Sequence, residues 1–551
     1  MPTLNWIGKD KVINHHRDVP FKVLEKQYTF RSNVENTGVE PAEKGGFEPS
    51  KSAEGGSGNM IIHGDNLEAL KSLLPQYEGK VKCIYIDPPY NTGNEGWVYN
   101  DNVNDPRIKK WLGDVVGKEG EDLSRHDKWL CMMYPRMVLL HKLLSEDGLM
   151  FVSLDEVEVH HLRLVLEEIF GSSNYLATIT WEKRFTRSNN AKLFSTVTEN
   201  VLVCRKSNVL SLLREKRSEK ADSIYSNPDN DARGDWTSVS YVNPATKDKR
   251  RNLVYPIESP GGRLIEHPTH AWKYDMNTHK RHVEDNLLWW GVEGENSYPR
   301  LKKFKDTLNG MVPVDLWNYE ETGTTDEGSK ILAEIIGGNQ FDNPKPPRLI
   351  ERCLGFLDDS DAIILDSFAG SGTTAHAVLN LNKQDGGNRK FILIEMMDYA
   401  ETITAERVKR VINGYGSGNK KTEGTGGSFD YFTLGEPLFN EHQQLNENVA
   451  VEKIREYIWY SETRSALPII SAIPGQARND NSYYLGSHEQ IAYYFVYEKD
   501  ALTTLDHDLL ATLPLKGERT MIYADNCLLP KRFLEKHGII FKKIPRDITR
   551  F

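Results

Sequence analysis

The chain has 551 residues, of which 38% are hydrophobic, and a formal net charge of −10 at pH 7. This length predicts several domains, and the hydrophobic content suffices for buried cores. No stretch approaches the roughly 20 consecutive apolar residues of a membrane helix, and residues 1–5 lack the charged-then-apolar pattern of a secretory signal. The five cysteines are scattered without a C-x-x-C pair, and Cys83 and Cys131 stand in apolar runs typical of a core. We therefore expect a cytoplasmic protein with no metal ion, no disulfide framework and no membrane partner.

The N-terminal segment, residues 1–58, ends in a polar tract at 36–58 that is rich in Gly, Glu, Ser and Pro. This composition is typical of a flexible linker. From residue 59 the pattern changes to alternating strands and helices. A short strand leads into HGDN at 63–66, and the amphipathic stretch 67–74 follows. On its position alone, Asp65 is as consistent with a helix N-cap as with a binding role.

The next hydrophobic strand runs into the sequence DPPY at residues 87–90. In open α/β folds, ligands bind at the carboxyl ends of the strands, where these residues would lie. The carboxylate of Asp87 and the carbonyl of Pro88 can accept the two hydrogens of an exocyclic amine such as adenine N6, and Tyr90 offers a flat face for the base. A base inside a duplex cannot reach this geometry, so it would have to be flipped out. The alternative is a strand that ends in a Pro-Pro turn with a surface tyrosine.

Two helices are predicted after this motif. The first covers residues 129–144 and is expected to be interrupted at Pro135. The second covers residues 157–170 and carries His160 and His161 side by side. Because adjacent helical positions point to different faces, this pair is not expected to bind a metal ion.

The central region, residues 181–335, has an irregular pattern that is rich in Gly, Asn, Pro and aromatic residues. Residues 181–310 contain 23 Lys and Arg against 17 Asp and Glu, although the whole chain is acidic. Because affinity for nucleic acid depends on local contacts to phosphate, this basic excess is a candidate DNA surface, with ordinary solvated surface as the alternative. Trp289 and Trp290 are more consistent with core packing than with stacking on a base. The basic residues selected as DNA contacts are Lys183, Arg184, Arg187, Lys249, Arg250 and Arg251.

Residues 336–415 return to a βαβ pattern, with the sequence IILDSFAGSGTT at 363–374. It predicts a strand, a turn in which Gly370 and Gly372 let the backbone approach a ligand, and a helix. The glycine spacing is not G-x-G-x-x-G and the P-loop lysine is absent, so neither a dinucleotide nor ATP is favoured. The following strand ends at Glu395, where βαβ folds place the carboxylate that binds a ribose diol. The alternatives are a tight strand-to-helix turn and a solvated strand end.

Residues 416–551 begin with a second flexible tract at 416–427 and continue as a tail that is rich in tyrosine and phenylalanine. Residues 470–480 are interpreted as an inserted loop without an assigned function. Residues 521–524 predict a short strand closed by Asp525 and Asn526 as turn residues. The pattern predicts a small α+β domain.

The order of these motifs resembles the β-class of DNA amino-methyltransferases, in which the catalytic DPPY half precedes the FAGSG half. Four longer strings resemble more closely the modification subunits of type III restriction-modification systems: DPPYNTGN at 87–94, YND at 99–101, WLCMMYPR at 129–136 and LSEDGLMFVSLD at 144–155. The resemblance is strong over residues 59–180 and 336–415. It implies an α/β fold with a Rossmann-like methyltransferase sheet, helices on both faces, an inserted target-recognition region and a small C-terminal α+β domain.

The resemblance also divides the chain into functional parts. It implies an N-terminal arm and linker at 1–58, a catalytic half at 59–180, a target-recognition region at 181–335, a cofactor-binding half at 336–415 and a C-terminal assembly domain at 416–551. The implied methyl donor is S-adenosylmethionine, with Asp65 at its adenine amine, Glu395 at its ribose, and Phe341 and Lys345 at its methionine end. Met396 and Met397 depart from the small or polar residues common after that glutamate. The residues implied in cofactor binding are Asp65, Phe341, Lys345, Asp366, Phe368, Gly370, Gly372, Thr373 and Glu395.

The implied activity is site-specific transfer of a methyl group to adenine N6 in double-stranded DNA, by base flipping and direct in-line transfer without a covalent enzyme intermediate. The catalytic residues would be Asp87, Pro88, Pro89 and Tyr90. The resemblance further implies assembly as a homodimer and allows a restriction subunit as a partner. A cytosine-N4 enzyme is an alternative that Asp87 disfavours, since serine is common at that position there. A protein or RNA methyltransferase is disfavoured by the motif order, and a non-catalytic DNA-reading subunit by the intact motifs.

Overall fold

The computed structural model describes residues 3–32, 48–49, 57–91, 125–187, 192–215, 217, 222–305, 310–338, 340–440, 442–468, 483–499, 501–513 and 517–544. The chain divides into two compact units. The larger unit comprises Met1–Ser211 and Val314–Phe551, and the smaller comprises Leu212–Pro313. Most of the predicted linker at 36–58 and the whole predicted loop at 470–480 lie outside the described residues.

The first part of the larger unit carries most of the strands of the main sheet. Its strands are β1 (Lys22–Arg31), β2 (Glu48–Pro49), β3 (Met60–His63), β4 (Val81–Ile86), β5 (Leu144–Leu154), β6 (Tyr175–Glu182) and β7 (Thr198–Arg205). Its helices are α1 (Lys9–Val12), α2 (His15–Asp18), α3 (Asn66–Tyr77), α4 (Arg125–Leu143) and α5 (Glu156–Phe170). The helices predicted at 67–74 and 157–170 are confirmed.

In its described residues, the smaller unit has short strands and a helix around an aromatic core. Its strands are β8 (Trp236–Ser240), β9 (Val242–Thr246), β10 (Ile257–Glu258), β11 (Leu264–Ile265), β12 (His270–Trp272), β13 (Leu288–Trp289) and β14 (Arg300–Phe304), and its helix is α6 (Met276–Glu284). Trp290 is 7% exposed and packs with Tyr241 and Trp272 in this core, as expected. Lys302 is buried and pairs with Asp229 and Asp231, so part of the basic excess stabilises the unit from within.

The second part of the larger unit completes the sheet and adds a C-terminal region. Its helices are α7 (Tyr319–Thr322), α8 (Thr325–Ile336), α9 (Pro347–Leu354), α10 (Thr373–Asp385), α11 (Glu406–Asn413, entered through a π-helical turn at Ala400–Ala405), α12 (Val451–Thr463), α13 (His507–Thr512) and α14 (Lys531–Lys536). Its strands are β15 (Leu316–Trp317), β16 (Ile363–Asp366), β17 (Lys390–Glu395), β18 (Gly414–Tyr415), β19 (Thr422–Glu423), β20 (Ser428–Pro437), β21 (Tyr484–His488), β22 (Ile491–Phe495), β23 (Thr504–Leu505), β24 (Arg519–Ala524), β25 (Asn526–Cys527) and β26 (Ile539–Lys543).

Among the described residues, the main sheet has eleven strands in the order β15-β6-β7-β5-β4-β16-β17-β3-β20-β1-β2. Its centre, from β5 to β20, is parallel, whereas β7 is antiparallel to both β5 and β6, and β1 is antiparallel to β20. The central strands are isoleucine-rich runs that are almost completely buried, as parallel sheets covered by helices require. The expected α/β sheet is confirmed.

Strands β4 and β16 are neighbours at the centre of this sheet, although they are far apart in the chain. Ile364 pairs with Cys83 and Leu365 with Ile84, in parallel register. The order then continues through β5 on one side and β17 on the other, so the chain reverses its winding direction at this point. Open α/β sheets bind ligands in the crevice at such a switch point.

Helix α4 differs from its prediction because Pro135 does not interrupt it. The helix runs without a break from Arg125 to Leu143. A proline inside a helix removes one backbone hydrogen bond and costs about 3 kcal/mol. Here the helix buries a long apolar face that includes Trp129, Met132 and Leu139, and this packing outweighs the loss. Cys131 on this helix and Cys83 on β4 are buried, which confirms both as core residues.

The C-terminal region forms a separate sheet in the order β21-β22-β24-β26, with two adjoining hydrophobic clusters that include residues of helices α12 and α13. A small domain of strands and helices was predicted here. Its strands β22, β24 and β26 are parallel and are connected through α13 and α14, so its arrangement is α/β where α+β was expected. Strand β24 covers the strand predicted at 521–524, and Asp525 follows it as a bend that accepts the backbone N–H of Thr503 at 2.8 Å. In the described residues, no helix is both long enough and apolar enough to span a bilayer. Cytoplasmic location stays a prediction.

Candidate active site

The two predicted motifs meet in one pocket at the carboxyl ends of β4 and β16. Asp87 follows β4 directly, and Asp366 is the last residue of β16. The pocket has a cavity volume of about 230 Å³. It is lined by Tyr85, Asp87, Pro88, Tyr90, Asp155, Lys183, Arg184, Glu199, Thr325, Phe341, Asp342, Asn343, Pro344, Lys345, Asp366, Phe368, Ala369, Gly370, Ser371, Thr373 and Thr374.

Asp87, Tyr90 and Lys345 form a compact hydrogen-bonded group on the catalytic side of this pocket. The Tyr90 hydroxyl lies 2.6 Å from Asp87 Oδ1, and Lys345 Nζ donates to Asp87 Oδ2 at 2.6 Å. Lys345 Nζ also donates to the Tyr90 hydroxyl at 2.6 Å. The Asp87 side chain keeps 26% of its surface exposed, so its carboxylate can be reached from the pocket.

A second carboxylate, Glu199 of β7, stands behind this group. Its Oε1 lies 2.8 Å from the Tyr90 hydroxyl and 3.3 Å from Lys345 Nζ, and its Oε2 lies 3.4 Å from Lys183 Nζ. Lys183 also faces Asp155 at 3.6 Å. The glutamate side chain is only 2% exposed, so the ammonium groups of Lys345 and Lys183 compensate its charge in place of water.

Burial and charge pairing shift the pKa values of these groups in different directions. Burial raises the pKa of Asp87; Lys345 opposes this shift and Glu199 adds to it. Burial alone would raise the pKa of Glu199 too, but Lys345 and Lys183 lower it on balance. Burial would lower the pKa of Lys345, yet Asp87 and Glu199 raise it. Lys345 is therefore held as an ammonium, and the pKa values of the two carboxylates shift in opposite directions.

Two contacts hold the DPPY turn from behind. The indole N–H of Trp129 on α4 donates to the carbonyl of Pro89 at 2.6 Å. Asn91, which follows Tyr90 directly, has a left-handed backbone with φ of 59° and donates its side-chain amide to Glu158 of α5 at 2.5 Å. Asparagine tolerates this conformation better than most residues. The turn is thus fixed to the two helices that flank β5.

The glycine-rich turn after β16 forms the other side of the pocket. Gly370 has φ of +51°, and a Cβ built on it would lie 3.1 Å from Cζ of Phe341. Gly372 has φ of +80°, and a Cβ there would lie 3.1 Å from the carbonyl oxygen of Thr404. The hydroxyl of Thr404 donates to the carbonyl of Gly370 at 2.6 Å. Both positions require glycine because the backbone is left-handed and the neighbouring atoms are close.

Two buried carboxylates close this half of the site. Asp366 accepts the hydroxyl of Thr374 at 2.5 Å and the backbone N–H of Phe368 at 3.0 Å. Glu395, at the end of β17, accepts the backbone N–H of Gly370 at 2.8 Å and that of Met397 at 3.0 Å. Burial raises the pKa of Asp366 and of Glu395 to about 7. Each side chain can therefore change its charge near neutral pH.

Three of the residues predicted to bind a cofactor do not line the pocket. Asp65 caps helix α3 by accepting the backbone N–H groups of Leu67 and Glu68 at 2.9 and 3.2 Å, as its position suggested. Its strand, β3, is adjacent to β17, and the Gly64 N–H donates to the carbonyl of Glu395 at 3.0 Å. Gly372 and Glu395 lie behind the lining residues. The predicted members that do line the pocket are Phe341, Lys345, Asp366, Phe368, Gly370 and Thr373.

The residues predicted to contact DNA fall into two groups. Lys183 and Arg184 line the pocket, and Arg187 is exposed beyond them. Lys249 and Arg251 are exposed in two short 3₁₀ turns of the smaller unit, and Arg250 is exposed between these turns. Lys183 is held by the carboxylates of the site, whereas the other group faces solvent. Contact with DNA stays a prediction for all six.

Sequence reasoning missed Glu199, Asp155 and Thr325 as parts of the site. Glu199 lies near the start of a strand that is otherwise rich in valine and leucine. A charged residue in such an apolar strand was the available signal in the sequence. Asp155 caps helix α5 through the N–H of Glu156 at 2.6 Å, and an N-cap role alone would have explained it. Thr325 begins α8, and nothing in its local sequence marks it.

Residues 81–406 match the DNA methylase family, which is more than half of the chain. The chain belongs to this family. The matched range begins at β4 and ends just beyond the glycine turn and Glu395, so it contains both sides of the pocket described above.

Several individual relatives are modification enzymes. The chain is 34% identical to the modification subunit of the type III restriction-modification enzyme StyLTI from Salmonella typhimurium, over 61% of this chain and 52% of that protein. It is 30% identical to the EcoPI modification subunit of Escherichia phage P1, over 71% and 63% of the two chains. It is 29% identical to the type II methyltransferase M.KpnI of Klebsiella pneumoniae, over 61% and 80%. The chain thus spans about half to two thirds of the length of the two type III subunits.

Two solved structures are partly similar to the chain. A crystal structure of the M1.HpyAVI–SAM complex aligns with 63% of this chain and 98% of its own, at 16% identity and a TM-score of 0.30. The PvuII cytosine-N4-specific DNA methyltransferase aligns with 63% and 86%, at 14% identity and a TM-score of 0.31.

Proposed function

We propose that this chain transfers a methyl group from S-adenosylmethionine to adenine N6 in double-stranded DNA, as the modification subunit of a type III restriction-modification system. The observation that carries the proposal is the meeting of Asp87 and the Gly370 turn in one pocket, at the ends of adjacent strands. Two relatives, 34% and 30% identical to the chain, are modification subunits of type III restriction-modification enzymes.

Asp87 is proposed to accept a hydrogen of the target amine and to direct the nitrogen lone pair toward the glycine turn. Tyr90 stacks against the flipped base, and the carbonyl of Pro88 accepts the second hydrogen. As the new N–C bond forms, the bond between the methyl carbon and the donor sulfur would break and the donor would leave as a neutral thioether. Positive charge grows on the nitrogen at the same time and strengthens its interaction with Asp87. Because burial raises the pKa of Asp87, this carboxylate is also suited to take the proton that the methylated nitrogen releases.

The Lys345 ammonium must move away from Asp87 before the target amine can bind there. Its ammonium donates to Asp87 Oδ2 at 2.6 Å, which is the position that the target amine would occupy. The same ammonium is 3.3 Å from Glu199, so it can move toward that carboxylate while it keeps a charged partner. We propose that Lys345 neutralises Asp87 before the base enters and pairs with Glu199 afterwards.

The cofactor-binding residues are proposed from the glycine-turn side of the site. A Cβ on Gly370 would press against Phe341, and one on Gly372 against the Thr404 carbonyl, so only glycine lets the turn pass this close to its neighbours at the edge of the pocket. Glu395 and Asp65 stand at the ends of two adjacent strands, suited to ribose hydroxyls and to an adenine amine respectively. When bound, S-adenosylmethionine supplies an activated methyl group. Asp366 and Phe368 would complete the pocket beside it.

The same proposal assigns a function to each part of the chain. Residues 59–180 and 336–415 form the catalytic and cofactor halves, and residues 181–335 read the target sequence. The compact unit Leu212–Pro313, with its exposed Lys249, Arg250 and Arg251, supports this placement. Residues 1–58 would serve as an arm and linker. Residues 416–551 would serve assembly, either with a second copy of the chain or with a restriction subunit.

The test is to incubate the purified protein with plasmid DNA and S-adenosylmethionine labelled in its methyl group, and then to map the modified bases. We expect N6-methyladenine at one short sequence. Replacement of Asp87 by alanine should abolish incorporation, while replacement of the exposed Asp358 by alanine should leave it unchanged. Label on cytosine N4, or undiminished activity of the Asp87→Ala protein, would overturn the proposal.

A further inference from the structure

A cluster of three possible metal ligands lies behind the DPPY turn, outside the pocket. His126 stands in the first turn of α4, and Glu158 and His161 stand on α5. The Nδ1 atom of His126 is 2.7 Å from Glu158 Oε1, and the Nδ1 atom of His161 is 2.9 Å from Glu158 Oε2. All three ligand atoms lie within 4.8 Å of one another.

The burial of the cluster is unequal in a way that suits a bound ion. The Glu158 side chain has 0% exposure, whereas those of His126 and His161 are 37% and 34% exposed. Within the described part of the chain, no lysine or arginine pairs with Glu158; its partners are the two imidazoles and the amide of Asn91. A buried carboxylate without a full countercharge is costly, and a divalent cation would supply that charge.

We propose that His126, Glu158 and His161 bind one divalent transition-metal ion, best satisfied by Zn²⁺. Two imidazole nitrogens and one carboxylate are a known zinc ligand set, with water in the fourth position. The half-exposed histidines leave room for that water and a path of entry. Metal–ligand distances of about 2.0 to 2.2 Å place neighbouring tetrahedral ligands roughly 3.3 Å apart. The two imidazole nitrogens, now 2.7 and 2.9 Å from Glu158, would therefore move back from the carboxylate by roughly half an ångström. The three ligand atoms, which lie within 4.8 Å of one another, would also have to turn toward a common centre.

This site pairs histidines that are distant in sequence rather than adjacent. His160 is exposed and outside the cluster, in line with the expectation that neighbouring helical residues point apart. The sequence argument excluded a pair at 160–161 but did not reach His126, which precedes His161 by 35 positions. The proposed site departs from the expectation of a protein without a metal ion, and metal binding by the purified chain decides between the two.

The position of the cluster links it to the catalytic turn. Asn91 follows Tyr90 directly and donates to Glu158 Oε1 at 2.5 Å. An ion held by α4 and α5 would fix Glu158, and Glu158 would fix the end of the DPPY turn through Asn91. The proposed role is positional, and no part of methyl transfer is assigned to the metal.

The experiment uses the full chain after dialysis against a chelator, titrated with Co²⁺, which replaces zinc and absorbs visible light. We expect one equivalent to bind with the spectrum of a nitrogen- and oxygen-ligated ion, and Zn²⁺ to displace it. His126→Asn and His161→Asn should each weaken binding by more than about tenfold, the lower range for loss of even a supporting residue at a metal site. Both histidines are partly exposed, so these variants should still fold.

His160→Asn is the matched control, because it removes an imidazole from the same helix without touching the cluster. It should bind Co²⁺ as the unmodified chain does. Equal binding by the unmodified chain and by the His126→Asn/His161→Asn double variant would overturn the proposal, as would the absence of binding. Since the readout is metal binding and not methylation, the result is independent of the proposed enzymatic function.

Discussion

Lys345 is the residue on which the charge balance of the site depends. It is 6% exposed and lies between Asp87 and Glu199, at 2.6 and 3.3 Å. Removing one partner from a buried ionic group leaves the others uncompensated, which costs about 3 to 5 kcal/mol. The second cation nearby, Lys183, contacts Glu199 but is 3.4 Å away and more exposed. Lys345 therefore contributes to the stability of the fold in addition to its proposed chemical role.

We expect Lys345→Met to lower the free energy of unfolding by about 3 kcal/mol, because the buried Glu199 and the partly buried Asp87 then lack their shared cation. Adding Glu199→Gln should restore a large part of this loss, since one of the two charges is removed. Urea denaturation of the single and double variants measures the coupling. If the two effects simply add, the ionic interpretation of this contact is wrong.

Glu395 gives the site a dependence on pH. Burial raises its pKa to about 7, against an ordinary value of 4.5, so its protonated form is favoured in the folded state. Stability associated with this group is fully present below about pH 4.5 and is lost as the pH rises through 7. The side chain of glutamine cannot ionise, so the Glu395→Gln variant loses no stability from this position over the same pH range. The stability advantage of the unmodified chain over Glu395→Gln should therefore shrink between pH 5 and pH 8, as followed by thermal unfolding.

The same group predicts the pH dependence of cofactor binding. Ribose hydroxyls donate hydrogen bonds, and an ionised carboxylate accepts them more strongly than a protonated one. We expect the affinity of the unmodified chain for S-adenosylmethionine to weaken as the pH falls below about 7, where Glu395 becomes protonated. Calorimetric titration at pH 6 and pH 8 measures this, with Glu395→Gln as the variant in which the difference should be much reduced. An unchanged difference in that variant would assign the pH dependence to another group.

At the scale of elements, helix α10 begins and ends at a glycine with a left-handed backbone. Comparing these two positions separates the cost of backbone strain from the cost of a steric clash. Gly372 at its start has φ of +80° and a close neighbour in the carbonyl of Thr404. Gly386 at its end has φ of +72°, and a Cβ there would meet nothing within 4 Å. Any other residue in this conformation costs about 1 to 2 kcal/mol from the backbone alone.

We expect Gly386→Ala to lower the free energy of unfolding by about 1 kcal/mol, from backbone strain alone. Gly372→Ala should cost more, because the added methyl group also presses against the Thr404 carbonyl at 3.1 Å. It should weaken binding of S-adenosylmethionine as well, whereas Gly386→Ala should not. Chemical denaturation and calorimetry compare the two. Equal losses of stability would mean that the turn adjusts freely at Gly372.

The elements that sequence predicted well are those in which local pattern and tertiary packing agree. Strands β4, β16 and β17 are short apolar runs that lead into a carboxylate, and burial on both faces requires that composition. Helix α4 shows the limit, because local preference placed a break at Pro135 and long-range packing prevented it. The same limit applies at the site. The order of strands in the sheet brings Glu199 to Asp87, and the loop before α9 brings Lys345 there. Neither residue stands at a spacing along the chain that predicts this contact.

At the scale of the whole molecule, the acidic chain carries an exposed basic group in its smaller unit. Lys249, Arg250 and Arg251 face solvent, whereas Lys302 is buried against Asp229 and Asp231. Each phosphate that a protein neutralises releases condensed counterions, so binding to duplex DNA weakens with salt in proportion to the number of these phosphates. Exposure, rather than the number of basic residues, decides which of them can act on DNA.

We expect replacement of Lys249, Arg250 and Arg251 by alanine to weaken DNA binding. The slope of log affinity against log salt should become shallower by about 0.9 for each phosphate that the variant no longer neutralises. The matched control is replacement of Lys531, Arg532 and Lys536, which removes the same charge from an exposed helix of the C-terminal region. Fluorescence anisotropy with labelled duplex at several salt concentrations measures both. If the slope changes equally in the two triple variants, net charge and not this group controls binding.

The pairing of β4 with β16 has a consequence for the synthesis of the protein on the ribosome. Asp87 leaves the ribosome 279 residues before Asp366. At a synthesis rate of about 5 to 20 residues per second, β4 is synthesised roughly 15 to 60 seconds before β16. During that interval the edge of a largely apolar central strand is without the strand that later covers it, and such edges favour wrong pairing. Production of this chain in active form should therefore depend on how well chaperones shield the nascent first half.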